Sequence, residues 1–197
     1  MKTIIYKLLF LFILSYNINS QTHQGLFIVD KLPNKENEKI EISNIIIPGW
    51  NFDIIKITKN YKIKLHNQYE LIVVFVGTEE LFNNRNHIDN SLYLKYDELV
   101  KSISKFTNHI VLVTIPYPIN NITRQLHEYN TALFVFNQNI LEYIELYEYT
   151  IIDINAYFSF IEQKEDINLY YEKDFIHINE LGLQSILQIL QKELHKD

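Results

Sequence analysis

The sequence predicts a three-layer α/β domain built on a parallel sheet. Three observations predict it. Short runs rich in Ile, Val and Leu recur along the chain, and segments with apolar residues at a 3–4 spacing separate them. The apolar runs are continuous instead of alternating, as strands buried on both faces require. The third is that no linker or internal repeat divides the 197 residues, and a 47% hydrophobic content supplies a core for one domain.

The elements follow in order. The first strand is expected at 25–30, GLFIVD, and the second at 44–50, NIIIPGW. The third and strongest lies within 69–78, YELIVVFVGT, where Leu71, Ile72, Val73, Val74, Phe75 and Val76 are all apolar. The fourth lies within 108–118, NHIVLVTIPYP, stopped by two prolines, and the fifth at 149–155, YTIIDIN. A helix is expected over 92–106 from Leu92, Tyr96, Leu99, Val100 and Ile103. A longer one spans 123–146, with Leu126, Tyr129, Leu133, Phe136 and Ile140 in phase. A last one spans 181–194, with Leu183, Ile186, Leu187, Leu190 and Leu194. Strand–helix alternation of this kind gives a parallel sheet covered on both sides.

Composition narrows the functional classes. The net charge of −6 provides no general attraction for nucleic acid or an anionic membrane, so no nucleic-acid partner is expected. With no cysteine, thiolate metal sites and Cys nucleophiles are excluded. The first 20 residues read as a secretory signal peptide: Lys2 and Lys7 precede the apolar run Leu8–Leu14, and polar residues lead to Ser20. The mature domain is then 21–197, secreted or periplasmic, with no stable membrane span once the leader is removed. One glycosylation sequon, Asn121-Ile122-Thr123, carries little weight in a chain so rich in Asn.

In open parallel sheets, function gathers at the carboxyl ends of the strands. That rule selects Asp30 and Lys31, the Pro48-Gly49-Trp50 turn, Gly77 to Glu80, Pro116-Tyr117-Pro118 and Asp153. It also draws in Asp174 and His177, which stand three apart before the last helix. A carboxylate can hold an imidazole in one tautomer, and the imidazole can then act as general base. The other reading of the pair is a capped helix start with a surface His. Asp30, Glu79, Glu80, Asp174 and His177 offer oxygen and nitrogen ligands, but their spacing demands no metal, and no metal or other cofactor is expected.

The ordered motifs resemble the SGNH hydrolase family, the GDSL esterases and lipases, from about Gly25 to Leu194. The resemblance implies a flavodoxin-like α/β/α sandwich of about five parallel strands and an ester-hydrolase ancestry. Asp174-Phe175-Ile176-His177, then Asn179 and Gly182, resembles the ending DxxHxNxxG, which makes Asp174 and His177 the retained acid–base arm. GTEEL, 77–81, resembles the Gly-x-Asn-Asp block, with Glu79 in place of the Asn that donates to the oxyanion and Glu80 in place of the Asp. IIIPGW resembles the block whose Gly, here Gly49, lends a backbone N–H to the oxyanion hole. VDKL, 29–32, lines up with Gly-Asp-Ser-Leu and puts Lys31 at the nucleophile's position beside Asp30.

Two chemical roles are thereby altered. An ionised Glu accepts but does not donate hydrogen bonds, and Lys31 offers no hydroxyl. The resemblance therefore implies a pseudo-hydrolase with a degenerate site at Asp30, Lys31, Glu79 and Glu80. Its cleft would bind a small polar or acylated ligand, and Lys31 is expected to pair with Glu79. The alternative is a working esterase or acyl-carbohydrate hydrolase using His177 and Asp174.

Overall fold

A computed structural model describes residues 23–30, 50–57, 61–83, 91–118, 124–147, 149–162, 166–174 and 176–194. Five strands form one sheet: β1 (His23–Val29), β2 (Trp50–Lys56), β3 (Leu71–Phe75), β4 (Ile110–Val113) and β5 (Thr150–Ile152). All four pairings are parallel and the order is β2-β1-β3-β4-β5. This is the flavodoxin-like order, and its reversal point lies between β1 and β3.

The helices are α1 (Thr78–Asn83), α2 (Ser91–Ile103), α3 (Arg124–Tyr147), α4 (Ile154–Glu162) and α5 (Glu180–Leu194), with a 3-10 turn at Ile167–Tyr170. Strand geometry sends successive side chains to opposite faces, so each run splits between two cores. Leu26, Ile28, Ile72, Val74 and Leu112 pack with Tyr96, Leu99, Leu133 and Phe136 of α2 and α3. Phe27, Val29, Leu71, Val73, Phe75, Val111 and Val113 pack with Phe158 of α4 and Leu183, Ile186 and Leu190 of α5. The three layers follow directly, and the buried apolar runs are the reason these strands are continuous in sequence.

The second strand departs from expectation. The expected run 44–50 lies outside the described residues except Trp50, and Trp50 opens β2 instead of ending it. Because β2 is an edge strand with only Phe52 fully buried, its sequence WNFDIIK lacks the continuous apolar signature of the inner strands. β5 is shorter than the expected 149–155, since Ile154 and Asn155 already begin α4. The short α1, over Thr78–Asn83, occupies what reads in sequence as a loop. It packs Leu81 into the core on the α2–α3 side of the sheet.

Candidate functional site

The site is assembled at the carboxyl ends of β1 and β3, at the reversal point of the sheet. Asp30 follows the last residue of β1 and is buried at 8% exposure. Its Oδ2 accepts from the backbone amides of Gly77, at 2.8 Å, and Glu79, at 3.1 Å. One carboxylate thus ties the end of β1 to the turn that leaves β3. Gly77 has φ 128°, in the left-handed half of the map, and a Cβ there would lie 2.5 Å from Ile115 Cδ1 and 2.9 Å from Phe136. Only Gly satisfies both the angle and the space.

Asp174 and His177 come together through local chemistry. Asp174 Oδ1 accepts from the amides of Ile176 and His177, both at 3.0 Å, closing a tight Asx-type turn. That turn leaves Oδ2 to meet His177 Nδ1 at 2.5 Å. The three-residue spacing is what lets one side chain grip both its own turn and the ring. The turn is anchored behind by a bridge between Tyr171 and Ile178, by Glu172 N–H donating to His177 O and by Asn179 N–H donating to Tyr170 O. Burial pushes the Asp174 carboxyl up. The hydrogen bonds from the His177 ring and the two amides outweigh it and hold the carboxyl below its usual value.

Asn179 caps α5. Its Oδ1 accepts from Gly182 N–H, and its amide group donates to the carbonyls of Leu169 and Tyr171. A Cβ on Gly182 would lie 2.5 Å from the Tyr170 carbonyl oxygen. The HxNxxG pattern is therefore a cap, a clamp on the 3-10 turn and a close approach, each requiring its residue.

His177 is 8% exposed, and its Nε2 has no hydrogen-bond partner among the described residues. The Glu79 carboxylate stands close to Nε2, with Oε1 at 3.5 Å, a charge contact that does not form a hydrogen bond. Glu79 thus faces the imidazole atom that a nucleophilic hydroxyl would have to face. Glu80 turns away to Lys95 of α2, at 2.8 Å, and makes a half-buried ion pair.

Lys31 and Gly49 lie outside the described residues, and so does the expected Lys31–Glu79 pair. Trp50 stands at the amino edge of the sheet, beside His23, and not at the cleft; it stacks on Phe52. Asp153 is structural: its Oδ1 accepts from Thr114 Oγ1 and from the amide of Asn155. Asn155 and Asn137 in turn hold the backbone of Ile115 and Tyr117. Tyr171 Oη donates to the Tyr117 carbonyl at 2.5 Å, joining this segment to the turn that carries His177. Among the described residues no group of three or more His, Asp or Glu is arranged to hold a metal ion. None of the described helices is long and apolar enough to cross a membrane.

Two tyrosines join the site without a sequence signal of function. Tyr129 of α3 is fully buried, and its hydroxyl has no hydrogen-bond partner among the described residues. Burial, and then the charges of Asp30, Asp174 and Glu79 and the Tyr171 phenol, push its ionisation well up. Tyr61, after β2, has φ 49°, and its buried hydroxyl feels Asp30 and Glu80. In sequence Tyr129 reads as a core position of a helix. Only the crossing of α3 behind the β1–β3 crevice gives it a second meaning.

No family model matches the sequence, and no curated protein does. Solved structures do match in shape. An acetylxylan esterase from Geobacillus stearothermophilus aligns over 90% of this chain and 96% of its own, with 11% identity and a TM-score of 0.60. A member of the lipolytic G-D-S-L family from Veillonella parvula aligns over 88% of this chain and 97% of its own, with 14% identity and a TM-score of 0.63. An extracellular lipase from Streptomyces rimosus aligns over 70% and 82%, with 11% identity and a TM-score of 0.50.

Proposed function

With an SGNH/GDSL hydrolase-like fold as the premise, we propose that this chain is a pseudo-hydrolase whose cleft binds a small polar or acylated ligand without forming an acyl-enzyme. One observation carries the reading: Nε2 of His177 faces the Glu79 carboxylate at 3.5 Å. Nucleophilic catalysis needs a hydroxyl there, whose proton the imidazole takes as the oxygen attacks. A carboxylate has no proton to give at neutral pH, and its charge opposes the oxyanion that would form. Lys31 at the nucleophile's position in the sequence points the same way. Loss of a nucleophile costs on the order of a millionfold in turnover in a hydrolase.

A second reading has one observation in its favour. The Asp174–His177 pair is fully formed, and Nε2 is unpartnered among the described residues. Such an imidazole is equipped to act as general base toward water, giving a slow esterase with no covalent intermediate.

Hydrolysis of a short-chain aryl ester and an acetylated sugar separates the two. Wild type, His177→Ala and the double variant Lys31→Ser/Glu79→Asn would be assayed side by side. A silent wild type with activity in the double variant is the expected result. Wild-type activity that disappears in His177→Ala overturns the pseudo-hydrolase reading. The leader at 1–20 belongs to the same proposal, a secreted or periplasmic domain. Amino-terminal sequencing of protein recovered outside the cytoplasm of a secreting host is expected to begin near residue 21.

A further inference from the structure

Two phenols of this fold reach a protein acceptor: Tyr171 Oη donates to the Tyr117 carbonyl at 2.5 Å, and Tyr69 Oη to Asp53 at 3.1 Å. The hydroxyls of Tyr61 and Tyr129 do not. Tyr129 is fully buried and Tyr61 is 4% exposed, and neither hydroxyl has a hydrogen-bond partner among the described residues. Both rings belong to the buried core on the α2–α3 side of the sheet. Tyr129 comes from α3. Phe82 of α1 stands edge-on to it at 5.7 Å and lies 6.5 Å from the His177 ring. Tyr61 enters from the segment after β2 with φ 49°, a left-handed backbone that a bulky side chain rarely adopts.

Burial raises the pKa of both phenols, and the Asp30 charge adds to the rise in each. Both are therefore un-ionised at neutral pH, and each hydroxyl donates as well as accepts. A buried hydroxyl without a partner is costly, and Phe would fill the same space without that cost. Folded proteins satisfy such groups with internal water, provided two or more polar groups meet it. The base of this crevice is polar in that way. Asp30 acts on both hydroxyls, Glu80 on Tyr61, and Asp174 and Glu79 on Tyr129. A water takes only part of a carboxylate's accepting capacity, so Asp30 can serve one while it holds the amides of Gly77 and Glu79. At full burial the partner must be small and must both donate and accept, and water does both.

We propose that the base of the crevice is an internal hydration site, with water molecules hydrogen-bonded to the hydroxyls of Tyr61 and Tyr129. The site goes beyond the pseudo-hydrolase reading and stands whether or not His177 catalyses. Its consequence is a polar floor. A ligand entering beside Glu79, whose side chain is 40% exposed, meets held water beneath it instead of a dry apolar wall.

The test compares the full chain with Tyr61→Phe and Tyr129→Phe by three readouts. Water-oxygen relaxation dispersion counts long-lived waters, and about one fewer is expected in each variant. Thermal unfolding is expected to give a Tm about 2–4 °C lower in each, because a satisfied hydrogen bond is lost. In the wild-type chain with isotope-labelled tyrosine, both ring systems are expected to show cross-relaxation with water. The ring signals are assigned there by sequential connection, so this readout does not depend on a variant folding. A Tm that stays the same or rises in both variants overturns the proposal, since deleting an unpartnered hydroxyl only relieves a cost. Wild-type rings with no cross-relaxation to water overturn it as well. Cross-relaxation together with an unchanged dispersion in both variants also overturns it, and shows hydroxyl exchange with bulk solvent in place of held water. The ester assay with His177→Ala reads the pseudo-hydrolase proposal separately, and no outcome there bears on the hydration site.

Discussion

Asp174 carries more of the site than any other side chain, because one oxygen builds the turn and the other holds the imidazole. Its role is testable by pH. A carboxyl whose folded pKa is lowered contributes stability that is fully present above the unfolded value, about 3.9, and lost as pH falls through the folded value. Wild type is therefore expected to be more stable than Asp174→Asn near neutrality, with the gap closing below about pH 4. Urea denaturation of both proteins from pH 7 to pH 3 measures it; a gap that persists unchanged at pH 3 would refute this account. Asp30 shows the same economy at the other wall of the crevice, where a residue expected in the degenerate site turns out to be a backbone clamp. The motif resemblance put Asp30 beside Lys31 in a degenerate site. It had no means of revealing which amides the carboxylate would accept, because Gly77 and Glu79 are distant in the chain.

Helix α5 begins where it does because Asn179 supplies the cap and Gly182 leaves room for the Tyr170 carbonyl. Asn179→Ala removes the cap and two further hydrogen bonds to carbonyls. Loss of a cap costs about 1 kcal/mol and each net hydrogen bond about 1 kcal/mol. A destabilisation of about 2–3 kcal/mol is expected from denaturant titration, together with altered His177 ring signals, since Ile178 and Asn179 anchor the turn. Unchanged ring signals would show that the cap and the imidazole are independent. The helices α2, α3 and α5 were legible in sequence, because their apolar stripes face one layer each. The helices α1 and α4 were not. The first has only six residues, too few to display a period, and the second follows β5 so closely that its first residues read as more strand.

The sheet itself sets the hierarchy of stability. β1, β3 and β4 are inner strands, paired on both sides and lined with residues at or near full burial, whereas β2 and β5 are edges. Native-state hydrogen exchange tracks such differences, since amides in inner strands open only with global unfolding. The slowest amides are expected in Leu26–Val29, Leu71–Phe75 and Ile110–Val113, with β2 and the three-residue β5 exchanging faster. Equal protection across all five strands would contradict a core centred on the inner three. The same arrangement fixes where chemistry can occur. The reversal between β1 and β3 opens a crevice, and Asp30, Gly77, Glu79 and the turn holding His177 border it.

Sequence by itself determined the layers, the inner strands, the three long helices and the Asp174–His177 pair, because each rests on residues a few positions apart: a continuous apolar run, a 3–4 period, a three-residue turn. Only the tertiary structure decided the rest. Glu79 faces Nε2, Glu80 turns to Lys95, and Tyr61 and Tyr129 bring buried hydroxyls to the crevice, through contacts between segments far apart in the chain. The edge strand β2 belongs with these, since its solvated face erases the pattern by which inner strands are read. Local periodicity encodes what each segment buries; which segments share a crevice depends on the strand order that packing selects.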